Sequence, residues 1–196
     1  MSSLRHIPDA RLNGYLDAAR DCILDVGWRR TTLTEVAKRA SVSRMTIYRA
    51  WSDMGSLLGD LMTREWVGIA AATRVAAADT TTPAGIAAAA LSTVRALRDN
   101  ELFVRIVELD PDLMLPYLLH RRGRSQEALV EILAAEIESG QAAGAIRPGD
   151  PVLIARSLTL AGHGFVFSAL TMTDAHVGLA DLDAEYARLI TRTLEP

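Results

Sequence analysis

The sequence predicts an all-α protein on three observations. Alanine is abundant along the 196 residues, alternation of β-branched with polar residues is nearly absent, and apolar residues recur at steps of three and four. Such steps place apolar side chains along one face of a helix, whereas a strand requires a period of two. The predicted organisation is an N-terminal three-helix domain, residues 1–55, followed by a larger helical domain, residues 56–196.

One apolar stripe marks the first helix. Gly27 follows the stripe and is expected to end the helix, because glycine readily adopts the left-handed conformation of a helix terminus. Cys22 lies beside the stripe and is predicted to be a small core residue rather than a nucleophile. The stripe consists of Leu12, Leu16, Ala19, Ile23 and Val26.

Two short helices are predicted next. Thr32 and Glu35 have the spacing of a capping box, in which each side chain satisfies a backbone amide of the other, so a helix is expected over residues 33–40. Residues 41–43 form a tight turn. Ser43 is then a suitable N-cap for a second short helix that ends near Trp51.

The rest of the chain is predicted to be helical with short breaks. Asp53 is a suitable cap for a third helix over residues 54–78. Asp110 and Asp112 flank Pro111 and are predicted to cap the following helix rather than to bind a metal. The other predicted helices cover residues 83–98, 101–109, 111–119, 124–142, 151–170 and 182–194.

Basic residues are concentrated in residues 27–51, which we call the basic segment. Its six basic residues stand against Glu35 alone, a net charge of +5, while the other residues carry −8 of a chain total of −3. This asymmetry is expected of a nucleic-acid contact surface, and a solvated basic helix face is the alternative. The six residues are Arg29, Arg30, Lys38, Arg39, Arg44 and Arg49.

Two short helices joined by a three-residue turn, the second of them basic, predict a helix-turn-helix. In that motif the second helix enters the major groove of DNA by its N-terminal residues. Arg44 can make a bidentate contact to guanine, and Met45 and Thr46 can contact a thymine methyl group. The hydroxyl groups of Ser43 and Tyr48 suit phosphate oxygens.

This segment resembles the DNA-binding domain of the TetR family of one-component bacterial transcription repressors. The family's pattern combines a glycine, a threonine pair, an Ile/Val-Ala dipeptide, a Gly-Val-Ser turn, a tyrosine, an aromatic residue and an Asp/Ser-Lys dipeptide before paired leucines. In this chain the corresponding positions are Gly27, Thr31, Thr32, Val36, Ala37, Ser41, Val42, Ser43, Tyr48, Trp51, Asp53, Met54, Leu57 and Leu58.

The chain departs from the family's pattern at two positions. Ser41 stands where the family usually has glycine. A left-handed turn costs a non-glycine residue about 1 kcal/mol, so the turn is expected to be either strained or slightly reshaped. Met54 stands where the family usually has a lysine that contacts phosphate, so weaker affinity for every DNA sequence is expected.

The predicted DNA contacts extend beyond the second short helix. Arg5 and His6 are a possible minor-groove arm, with a disordered terminus as the alternative. The residues predicted to contact DNA are Thr31, Thr32, Thr34, Ser43, Arg44, Met45, Thr46, Tyr48, Arg49 and Trp51.

The resemblance implies that the larger domain binds an effector and forms a homodimer. Two features of the sequence agree with dimerisation. Residues 152–170 are too apolar to stay exposed on a monomer, and one recognition helix reads only a few base pairs. A homodimer through residues 151–170 and 182–194 on a palindromic operator is therefore predicted.

The resemblance also implies a small-molecule effector, unidentified here, in a cavity between the middle helices. Apolar pockets are lined by aromatic and soft side chains with a few polar groups, although each candidate residue taken alone is more often a core or interface residue. The residues predicted to line the pocket are Trp66, Phe103, Met114, Tyr117, His120, His163 and Phe167.

The sequence offers no parts of an enzyme. It lacks G-x-S-x-G and G-x-x-x-x-G-K motifs, and its four histidines show no ligand spacing, so no catalytic residue, metal or cofactor is predicted. One cysteine, no signal peptide and no apolar run of membrane length predict a cytoplasmic protein without a membrane partner.

The predicted function is a DNA-binding transcriptional regulator, a homodimeric repressor that a small molecule releases from its operator. Activation of transcription stays open. A non-enzymatic helical module that binds another protein is the alternative class.

Overall fold

A computed structural model describes residues 10–77 and 79–196, and the regular elements in these ranges are helical, which confirms the all-α prediction. Short 3₁₀ turns cover Trp28–Arg30, Pro111–Leu113 and Ala169–Met172. The α-helices are α1 (Ala10–Val26), α2 (Leu33–Arg39), α3 (Arg44–Ala50), α4 (Met54–Ala76), α5 (Pro83–Arg98), α6 (Glu101–Leu109), α7 (Leu115–Leu119), α8 (Arg124–Ala142), α9 (Pro151–Phe167) and α10 (Leu179–Leu194).

The single helix predicted over residues 111–119 is wrong. The chain instead forms a 3₁₀ turn and then the short helix α7. Pro116 explains the break, because a proline nitrogen has no hydrogen to donate to the carbonyl four residues earlier. The capping role predicted for Asp110 is also wrong: its side chain makes no cap hydrogen bond and is engaged elsewhere.

Other helix ends differ from the predictions by two or three residues. Helix α9 ends at Phe167, and the 3₁₀ turn Ala169–Met172 follows it. Helix α10 begins three residues earlier than predicted, because Asp181 accepts a hydrogen bond from the Gly178 amide at 2.9 Å and holds the first turn.

The described chain forms two compact units. The first contains the residues up to Thr63 together with Glu101–Arg121, and the second contains Arg64–Asn100 and Arg122–Pro196. The two units are defined by contacts between residues, whereas the predicted boundary at residue 55 divides the chain into a DNA-binding part and an effector-binding part. The functional boundary therefore stays a prediction.

The first unit has a core that α1, α2, α3 and α6 share. Ile23, Val36 and Ile47 are fully buried in it. Helix α6 packs against α1 and buries Leu102 and Ile106. Residues far from the N-terminus in sequence therefore complete the core beneath the predicted helix-turn-helix.

The second unit is built on α5, α8, α9 and α10. Its apolar core includes Ile86, Ile137, Ile154 and Ile190. Asp183 is buried between helices α10 and α5, and the side chains of two α5 arginines bond its two oxygens at 2.6 and 2.7 Å. In the described residues no helix is both long and apolar enough to cross a membrane.

Candidate nucleic-acid interface

The N-terminus of α2 is fixed by local hydrogen bonds. The Glu35 amide donates to Thr32 Oγ1 at 3.2 Å, and the Thr32 amide donates to Glu35 Oε2 at 2.9 Å. This confirms the predicted capping box, and such a cap stabilises a helix by about 1 kcal/mol.

The turn between α2 and α3 is left-handed at Ser41, whose φ is 56°. The Ser41 amide donates to the Lys38 carbonyl at 3.2 Å, and the Val42 amide donates to the Ala37 carbonyl at 3.0 Å. These bonds hold a non-glycine residue in a conformation that its Cβ disfavours. Of the two outcomes expected at this position, the structure shows the strained, left-handed turn.

Replacing Ser41 with glycine is expected to stabilise the protein. Because the substitution removes the Cβ from a left-handed position, the free energy of unfolding should rise by about 1 kcal/mol. Urea denaturation of the full chain measures the change. Ser41→Ala is the matched control, since alanine retains the Cβ; equal stability of the alanine and glycine variants would contradict the assignment of strain.

Helix α3 is held from its inner side. Ser43 is its N-cap, as predicted, and accepts a hydrogen bond from the Thr46 amide at 3.2 Å. Ile47 is fully buried, and the indole nitrogen of Trp51 donates to Asp60 Oδ2 at 2.7 Å. Because Ile47 and Trp51 anchor one side of α3 in the core, the opposite side of the helix faces solvent.

The solvent side of α3 carries five of the ten side chains predicted to contact DNA. Arg44 and Arg49 are exposed, and so are two large side chains, Met45 and Tyr48. Thr46 is half-buried, and its hydroxyl lies 2.8 Å from the Ser43 hydroxyl, which leaves its methyl group for an apolar contact. One helix face thus combines charged, hydroxyl and apolar groups suited to base edges and phosphates.

Other members of the predicted set have different surroundings. Thr31 is buried and donates to the Gly27 carbonyl at 2.8 Å, and Trp51 is buried, so both side chains support the motif from within. Thr32 is exposed but engaged with Glu35, and Thr34 is half-buried. The minor-groove arm proposed at Arg5 and His6 lies outside the described residues.

Ion pairs divide the basic segment into two groups. The carboxylate of Asp25 pairs with Arg39, and acidic residues after α6 pair with Arg29. Within residues 10–77 and 79–196, no acidic partner is found for the other basic side chains of the segment, all of them exposed. These free cations are Arg30, Lys38, Arg44 and Arg49. The net charge of the basic segment does not reveal this division, because the acidic partners Asp25, Asp110 and Asp112 lie outside residues 27–51.

The start of α4 follows α3 closely. Asp53 Oδ1 accepts from the Ser56 amide at 2.7 Å, and this bond, with one from Ser52, lowers the pKa of the Asp53 carboxyl group. The predicted cap is therefore present. Met54 begins α4 and is half-buried at the position where the family pattern places a lysine.

The residues predicted to line an effector pocket fall into both units. In the second unit, the His163 ring meets the Phe167 ring edge-on with centroids 6.5 Å apart. His163 Nε2 lies 3.4 Å from Gln126 Nε2, and burial lowers the pKa of His163. Trp66 also belongs to this unit. A pocket made by these side chains stays a prediction.

The other predicted pocket residues belong to the first unit. Phe103 and Met114 are buried, Tyr117 is half-buried beneath the Arg121 guanidinium, and His120 is exposed. Cys22 is buried in the same unit, and burial raises the pKa of its thiol, as expected of a core cysteine. In the described parts of the chain, no group of three His, Cys, Asp or Glu side chains could hold a metal ion.

Helix α3 is the second helix of a helix-turn-helix, the recognition helix, and its outer side is exposed. This arrangement is that of a DNA-binding regulator of transcription. A family model described as "Bacterial regulatory proteins, tetR family" matches residues 16–61. An uncharacterised HTH-type transcriptional regulator of Mycobacterium bovis is 33% identical over 154 residues, 79% of each chain, and one of Mycobacterium tuberculosis is 32% identical over the same share. The chain belongs to the TetR family.

Solved structures share the fold. The transcriptional repressor QsdR of R. erythropolis, from the TetR family, superposes with a TM-score of 0.72 over 95% of both chains at 17% identity. A complex of SmeT with triclosan superposes with a TM-score of 0.59 over 96% of this chain and 93% of the other, at 19% identity. SmeT is the repressor of a multidrug efflux pump of Stenotrophomonas maltophilia.

Proposed function

We propose that this regulator is a cytoplasmic homodimeric repressor that binds a palindromic operator and is released by a small molecule. The observation that carries the proposal is the solvent face of α3, which buried Ile47 and Trp51 hold in place. A protein seated on an operator needs no further chemistry to block a polymerase.

Sequence readout is proposed to begin at the first residue of α3. Arg44 has the planar group that can donate two hydrogen bonds to guanine O6 and N7, and Met45 offers an apolar surface to a thymine methyl group. Tyr48 and Arg49 follow one turn later and suit phosphate oxygens. Thr32 and Thr34, at the start of α2, would add contacts to the phosphate backbone of the DNA.

Dimerisation is proposed through residues 151–170 and 182–194. Large apolar side chains on this surface are exposed in the single chain: Leu153 is 62% exposed, Leu160 72% and Leu189 49%. A second copy related by a two-fold axis would bury this surface and place two recognition helices on successive half-sites about 34–36 Å apart.

The effector is proposed to be a small molecule with apolar or aromatic character. The support is the aromatic content of the predicted pocket residues and the fold shared with SmeT, whose complex contains triclosan. Helix α4 contributes residues to both compact units, so a bias on its position can reach the recognition helix. Coupling of this kind typically amounts to about 1–3 kcal/mol.

The function is tested by selection of duplexes from a random DNA pool with the full-length protein. Enrichment of one inverted repeat supports the proposal, and a pool without an enriched sequence contradicts it. Compounds are then screened for release of the selected duplex. Release by an apolar compound supports ligand control, whereas tighter binding with the compound would point to a co-repressor.

A lysine at position 54 is expected to increase affinity for all DNA. Met54→Lys adds one cation at the start of α4, so the slope of log affinity against log salt should steepen by roughly one unit. Fluorescence anisotropy at several salt concentrations measures it. Thr63→Lys, on the same helix but two and a half turns away, is the control; an unchanged slope with Met54→Lys would contradict a phosphate contact at this position.

A further inference from the structure

The 3₁₀ turn that leads from α1 into α2 is held by carboxylates that follow α6. The Trp28 amide donates to Asp110 Oδ2 at 3.1 Å, and Arg29 Nε lies 3.0 Å from Asp110 Oδ1. Arg29 Nη2 also donates to Asp112 Oδ2 at 3.0 Å. We call these four residues the Asp110 cluster.

Asp110 and Asp112 differ sharply in burial. The Asp110 residue is only 3% exposed, and each of its carboxylate oxygens has a donor. A buried carboxylate that loses its hydrogen-bond donors strongly destabilises the folded protein. The folded state therefore requires the positions that the Trp28 amide and the Arg29 guanidinium have beside Asp110. The Asp112 side chain is 73% exposed, and ion pairs in such surroundings contribute little because water and salt screen them.

The backbone next to the cluster is equally constrained. Gly27 has a φ of 83°, and a Cβ built there would lie 3.3 Å from Leu109 Cδ1. The Gly27 carbonyl accepts the Thr31 hydroxyl at 2.8 Å, and the next residue, Thr32, caps α2. The turn before α2 is therefore held by the hydrogen bonds to Asp110 and to the Gly27 carbonyl, and these contacts set the direction in which α2 begins.

We infer that Asp110 is a positioning residue for DNA binding. It fixes the turn that orients α2 and, through the packed helix pair, the recognition helix α3. It also ties this turn to the end of α6, a segment 82 residues further along the chain. This inference rests on the proposed function, because positioning is detectable only through recognition of a specific duplex.

The test compares Asp110→Asn with the matched control Asp112→Asn, since each removes one negative charge next to Arg29. The probes are the duplex selected from random DNA and a duplex of unrelated sequence. For Asp110→Asn we expect affinity for the selected duplex to fall by about tenfold or more, while affinity for the unrelated duplex is unchanged or higher. For Asp112→Asn the two affinities should change equally and by less than about threefold.

Three results would overturn the inference. Asp110→Asn could leave affinity for the selected duplex unchanged, it could lower both affinities equally, or Asp112→Asn could lose discrimination to the same extent. If Asp110→Asn does not fold, the pair Asp110→Asn with Arg29→Gln replaces it, because the net charge is then unchanged and only the exposed Asp112 carboxylate loses its partner. For that pair removal of the Arg29 cation lowers both affinities, and the expected result is a larger fall for the selected duplex than for the unrelated one. Equal losses for the two duplexes would contradict the inference.

Amide hydrogen exchange of residues 28–31 in the free protein separates this inference from the proposed function. We expect faster exchange in Asp110→Asn than in Asp112→Asn, whether or not DNA binds. A wild-type protein that retains no DNA would contradict the proposed function. Equal exchange in the two variants would contradict the role of Asp110 itself.

Discussion

The double substitution Arg44→Glu with Arg49→Glu is expected to abolish retention of duplex DNA. Both side chains are exposed on α3, and neither has an acidic partner in the described parts of the chain, so both cations are available to DNA. Reversal of the two charges removes one proposed base contact and one proposed phosphate contact and adds repulsion. Affinity for the selected duplex should fall by more than about a hundredfold at moderate salt.

Fluorescence anisotropy with the selected duplex measures this loss. Arg121→Glu with Arg122→Glu is the matched control, because it changes the net charge equally at two exposed positions outside the basic segment. The control should stay within a few-fold of the wild-type affinity. Equal losses in both double variants would mean that total charge, rather than the face of α3, governs binding.

The double substitution Leu153→Glu with Leu160→Glu is expected to convert a dimer into a monomer. The two leucines lie seven residues apart on one face of α9 and are 62% and 72% exposed in the single chain. Four carboxylates would then be buried across a two-fold interface without partners. The dimer dissociation constant should rise by at least about a hundredfold, with operator affinity falling in parallel.

Sedimentation equilibrium at micromolar concentration measures this change. Val75→Glu is the matched control, since Val75 is 88% exposed on α4, outside the proposed interface. Circular dichroism should show the same helix content in all variants, because every substituted side chain is exposed. A monomeric wild-type protein, or a double variant that remains a dimer, would contradict the proposed interface.

Local features of the helix-turn-helix could be predicted from the sequence because the interacting groups lie within a few residues. The Thr32–Glu35 capping box and the Ser43 cap each join residues three apart, and both are present. The left-handed conformation of Ser41 is implied by the glycine that the family usually has at this position, and it is also present. The start of α10 was less predictable although its capping bond is equally local, because Gly178 and Asp181 lack the Ser/Thr-x-x-Glu pattern by which a capping box is found in a sequence.

Long-range features could not be predicted, because no periodicity reports them. The place of Asp110 before Pro111 predicts a helix cap, yet Asp110 accepts a hydrogen bond from a turn 82 residues earlier in the chain. Arg29 contributes to the +5 charge of the basic segment in the sequence, although acids from outside that segment neutralise it. The burial of Thr31 likewise depends on packing that the family pattern does not state.

The N-terminal end of α3 is proposed to recognise the base sequence of one half-site in each subunit of a dimer, so that the operator has two symmetric half-sites. Selection from a random duplex pool with wild-type protein and with Arg44→Ala tests it most directly. We expect one inverted repeat for the wild type, and for Arg44→Ala the same repeat with base preference lost only at one symmetric pair of positions. An identical repeat from both proteins, or no enrichment by the wild type, would contradict it.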